Sequence, residues 1–96
     1  MLIDKGMTAG EVISMKLSSG EELVAKLVEE TDRGFKVSKP LVLSIGQQGV
    51  GMIPFMFTVN PEKEVVINRS SVIAAQVTDS KFADQYTQGT TGIALR

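Results

Sequence analysis

The sequence predicts an all-β domain: a small, strongly bent five-stranded antiparallel sheet forming a partly open barrel, followed by a short helix. Three observations predict it. Apolar and polar residues alternate in short runs, glycine and proline separate or bend those runs, and helix signals gather only after residue 77. The 96 residues suit one domain spanning residues 1–96, with strands at about 12–77, a helix at about 79–88 and a loose tail. With four Phe, one Tyr and no Trp, the core has to come mainly from Val, Ile, Leu and Met.

The first strand is "VISMKL", in which Ile13, Met15 and Leu17 alternate with Ser14 and Lys16. Ser18, Ser19 and Gly20 make the turn, and a second strand runs from Glu22 to Glu30 with Leu23, Ala25 and Leu27 on one side. A helix competes for this second run, because Glu, Leu, Ala and Lys are helix formers; the short glycine turn between two alternating runs favours a hairpin. "TDRG" supplies the next turn, with Asp32 bonding locally and Gly34 free to take positive φ. The third strand, "FKVSKPLVLSIG", contains Lys39-Pro40, where a bulge or bend is expected.

"GQQGVG" is a flexible connection. No helix follows its glycines, so they do not form a phosphate cradle. The fourth strand, "GMIPFMFTVN", places Ile53, Phe55, Phe57 and Val59 on an inward face and Met52, Pro54 and Met56 on an outward one that is equally apolar. Proline donates nothing to a ladder, so this is an edge strand, and an apolar edge invites a second chain. "NPEK" reads as a type I turn. Residues 64–67 either continue the fourth strand or form a short one of their own, and the last strand runs from Val72 to Val77. In "TDSKFADQYTQ", Phe82, Ala83 and Tyr86 share one face of a helix capped by Thr78, Asp79 or Ser80.

Composition narrows the function. With neither cysteine nor histidine, the chain lacks disulfides, thiolate nucleophiles, the commonest metal ligands and every Ser-His or Cys-His pair. The acidic residues fall in runs that read as solvated turns and strand faces. No enzyme, no cofactor and no metal are therefore expected. "MLIDKGMTAGEV" lacks the apolar run of a signal peptide, and no stretch approaches the roughly 20 apolar residues of a membrane span, so a cytoplasmic location without membrane contact is expected. A net charge of −1 and a pI near 5.3 leave any nucleic-acid contact to a local arrangement.

Two segments narrow the fold further. "VISMKLSSGEELVAKL" resembles the first signature of the Sm-like family in its alternating strand, Leu17, Gly20, Glu22, small Ala25 and apolar Leu27. "INRSSVIAAQV" is similar to the second signature: a short strand, a polar turn and a Val-led strand. The resemblance spans residues 11–77 and implies an SH3-like barrel whose copies join side by side, fourth strand to fifth, in a closed ring. It implies that Met52, Pro54, Met56, Val72 and Ile73 lie between subunits and that the chain partners itself in rings of roughly six or seven, to which the altered connections of this sequence add five by changing the angle between subunits. The alternative is a monomer whose own helix covers the apolar strand.

The resemblance also implies contacts to single-stranded RNA from two turns, at Arg33, Phe35, Lys36, Asn68 and Arg69. Phe35 would stack a base, and Arg33 and Arg69 would hold phosphates. The sequence departs from the family where bases are read: in "TDRGF", Asp32 is displaced by one position and Phe35 falls where the family has its base-reading Asn. The Arg-Gly of the second signature is replaced by Asn68-Arg69. Phe35 at a strand start also suits a core position, and Asn68 suits a purely turn-shaping role. A ring that binds protein and no nucleic acid is the alternative function.

Overall fold

The computed structural model describes residues 7–90. Six strands, β1 (Val12–Leu17), β2 (Glu22–Glu30), β3 (Gly34–Gly46), β4 (Gly49–Pro54), β5 (Glu64–Asn68) and β6 (Val72–Val77), precede one helix, α1 (Ser80–Thr90). A single 3₁₀ turn, Arg69–Ser71, joins β5 to β6. The antiparallel sheet is open, ordered β4-β3-β2-β1-β6, with β5 also paired to β3.

The alternating β1 places Ile13, Met15 and Leu17 in the core, and β2 answers with Leu23, Ala25 and Leu27. The hairpin reading of the second run holds. Gly20 takes φ 111° in the turn, and its N–H donates to the Leu17 carbonyl at 2.9 Å. Phe35 and Val37 of β3 and Ile67 of β5 complete the core cluster.

The sheet has six strands rather than five, and the reason lies in β3. Lys39 adopts φ 49°, Pro40 follows without an N–H, and the pairing with β2 slips between Val24 and Lys26. One flank of β3 is taken by β2 across this bend. The other flank is therefore divided: Gly34 to Ser38 pair with β5, and Leu41 to Gly46 pair with β4. Residues 55–63 loop out between those two partners, so residues 64–68 form a separate strand.

The expected strand over residues 51–60 is corrected accordingly. β4 ends at Pro54, and Phe57 is 76% exposed and Ile53 46% exposed, so they do not form an inward face. Phe55 alone of that set packs on the core, its N–H donating to the Pro40 carbonyl at 3.0 Å. "NPEK" does turn: the Lys63 N–H donates to the Asn60 carbonyl, and the Glu62 N–H to Asn60 Oδ1, both at 2.9 Å. Closure into a barrel is not observed, since β6 ladders only with β1, and β4 and β5 ladder only with β3. The expected loose tail falls largely on residues 91–96, outside the described residues.

The helix forms close to its expected bounds, with Tyr86 buried and Phe82 at the rim. The Tyr86 hydroxyl donates to the carbonyls of Ser38 and Lys39, at 3.0 and 2.9 Å, which fastens α1 to the bend of β3. Burial pushes the phenol pKa up to about 12. Because the folded state holds this proton more tightly than the unfolded chain, stability should be level below pH 10 and fall as pH rises from 10 toward 12. Tyr86→Phe should abolish that decline and cost about 1–3 kcal/mol at neutral pH by stranding the two carbonyls. Urea unfolding at pH 7 and across the alkaline range checks both; a variant as stable as the parent at pH 7 would contradict the fastening role.

Candidate functional site: paired turns and open edges

The two turns singled out in the sequence meet in space. Thr31 organises the first: its N–H donates to the Gly34 carbonyl at 2.8 Å, and its hydroxyl accepts from the Arg33 N–H at 3.2 Å. The second turn docks onto the first through the Arg69 N–H, which donates to the Arg33 carbonyl at 2.7 Å, while Gly34 pairs with Asn68 across the ladder. Gly34 does not take positive φ, contrary to expectation. Its requirement is space, since a Cβ there would sit 2.0 Å from the Ile67 carbonyl oxygen.

Arg69 is held by this junction. Its Nη2 donates to the Thr31 carbonyl at 2.6 Å and to Glu30 Oε2 at 3.0 Å, and its Nε donates to the Asp32 carbonyl at 3.3 Å. The guanidinium carbon lies 5.2 Å from the Phe35 ring centroid, within cation–π range. Phe35 is only 4% exposed and belongs to the core. One of its faces meets Arg69, so its ring is not open to a nucleobase. The clamp on Arg69 was not legible locally, because its acceptors Glu30 to Asp32 lie nearly forty residues away.

Arg33 and Asn68 are exposed and Lys36 is half-buried. Among the described residues, neither Arg33 nor Lys36 forms an ion pair. Of the five predicted residues, Arg69 and Phe35 are engaged with each other at the junction, while Arg33 and Asn68 present exposed side chains beside it. Three acidic residues, Glu29, Glu30 and Asp32, stand in the same stretch and dilute its positive charge. Among the described residues, no group of three or more acidic residues is placed to hold a metal. No helix among them is long and apolar enough to cross a membrane.

The other exposed feature lies at the two ends of the sheet. At one end, Met56 and Phe57 follow β4 and Val66 stands outward on β5; at the other, Ile73 on β6 is 66% exposed. Met52 is half-buried opposite Leu43, Pro54 is exposed opposite Leu41, and Val72 packs against the core. Of the five residues expected between subunits, Pro54, Met56 and Ile73 are open to a neighbour. Compared with known proteins, the chain matches no family model, and no curated protein matches it significantly.

Proposed function

We propose that this chain is a self-assembling, non-catalytic adaptor whose copies join edge to edge into a closed ring of roughly five to seven subunits, as in Sm-like proteins. The observation that carries this reading is the pair of unladdered edges, β4 with β5 at one end of the sheet and β6 at the other, each with an exposed large apolar side chain. Exposed apolar edges in one chain favour pairing with another. Because the two edges differ, the contact is head-to-tail, and it either closes or grows without limit. Lysine-directed chemical cross-linking should give a ladder of bands that stops at a fixed rung. A single-chain band would contradict assembly, and an unbounded ladder would replace the ring by a filament.

A second reading, that the ring binds single-stranded RNA, is favoured by the exposed Arg33 and Asn68 at the turn junction. Symmetry repeats whatever cation each copy presents. With roughly one phosphate contact per subunit in a ring of about six, affinity would fall with salt at a log–log slope near −4. Without the base-reading Asn and with Phe35 buried, little sequence preference is expected. Filter binding of U-rich and A-rich oligomers at two salt concentrations, with the parent and Arg33→Ala, tests this: the variant should weaken both alike. An absence of saturable binding at low salt leaves the protein-binding adaptor.

A further inference from the structure

A cleft of about 270 Å³ opens beside the bend of β3, walled by Pro40, Leu41, Pro54, Met56, Val59 and Val65. These walls are aliphatic throughout. The charged and amide side chains of the lining are Lys39, Asn60, Glu62 and Lys63, so its cations outnumber its single carboxylate. Among the described residues, neither lysine forms an ion pair. Lys39 Nζ donates to the Thr90 carbonyl at 3.3 Å, which leaves two of its three N–H groups for another acceptor. Asn60 Oδ1 accepts from the Glu62 N–H at 2.9 Å, so its amide nitrogen keeps both donors. The polar part of the lining therefore offers mainly donors and positive charge.

We propose that this cleft binds an aliphatic carboxylate, its chain against the apolar walls and its carboxylate held at the rim by Lys63, Lys39 and the Asn60 amide. An apolar pocket with a few convergent polar groups is the usual form of a small-molecule site. Its size sets the chain length. A cavity of roughly 150 Å³ admits one benzene, and at that packing a cleft of about 270 Å³ holds about eleven heavy atoms, which suits a chain the length of octanoate. Glu62 and Lys63 are exposed, so the charged end of such a ligand stays partly hydrated while its chain leaves water. Met56, an unbranched side chain, adapts to a flexible chain better than a ring would. The site lies within one copy and does not rest on assembly.

Methyl-labelled methionine reads the site directly, because Met56 lines the cleft whereas Met15 lies in the core at 1% exposure. Octanoate added to the full chain should shift the Met56 methyl resonance saturably and leave Met15 unmoved. Octylammonium, with the same chain and the opposite charge, should bind severalfold more weakly. Lys63→Glu sets two carboxylates against one ammonium at the rim and should reverse that order. The Lys63 side chain is exposed and its backbone bond to Asn60 is kept, so this variant retains the fold. The titrations are repeated with Val66→Lys and Ile73→Lys added, so that no neighbouring copy lies over Met56, and a saturable shift in either background supports the site. No saturable Met56 shift in both backgrounds, or the same ligand preference with and without Lys63→Glu, overturns the proposal.

Discussion

Gly34→Ala should destabilise the fold by about 3–5 kcal/mol, a large share of the 5–15 kcal/mol typical of a small domain. The added Cβ would meet the Ile67 carbonyl oxygen at 2.0 Å, the Arg69 nitrogen at 2.9 Å and the Ile67 carbonyl carbon at 3.0 Å. All three are backbone atoms, so relief requires β3 to move away from β5. That movement would break the bond from the Arg69 N–H to the Arg33 carbonyl and lift the guanidinium from its three carbonyl and carboxylate acceptors. The loss therefore spreads from one methyl group to the whole turn junction. Gly46→Ala is the matched control, with open space around its Cβ and no positive φ, and should change stability by less than about 1 kcal/mol. Urea unfolding of both variants checks the contrast; equal midpoints would contradict the packing of β3 on β5.

Val66→Lys combined with Ile73→Lys should abolish assembly while leaving the subunit folded. Both side chains are already exposed in the single chain, so lysine disturbs no packing there. In an edge-to-edge contact the same positions would be desolvated, and an unpaired ammonium strongly opposes that. A weakening of about a hundredfold per contact corresponds to about 3 kcal/mol. Sedimentation should return a folded single-chain species with β-type circular dichroism. A double variant that sediments like the parent would move the interface away from these strands.

The parts of the fold that depend on neighbouring residues were legible in the sequence. The alternation of Ile13, Met15 and Leu17, the glycine turn at Gly20, the bend at Lys39-Pro40 and the helix face containing Tyr86 each follow from local spacing and backbone chemistry. The division of one flank of β3 between β4 and β5, on either side of the bend at Lys39, was not legible, because it depends on pairing partners far along the chain. The candidate site divides the same way. Turn chemistry exposes Arg33 and Asn68 locally, whereas the capture of Arg69 by Glu30, Thr31 and Asp32 and the burial of Phe35 beneath it arise only when the two turns meet. Likewise the need for glycine at position 34 comes from the approach of Ile67, a strand away.

The proposal that copies share their edges is tested most directly by the mass of the intact particle under native conditions. One chain weighs 10.3 kDa, so a ring of five to seven predicts a single species of about 52 to 72 kDa at micromolar concentration. A monodisperse 10.3 kDa particle at that concentration would contradict the account.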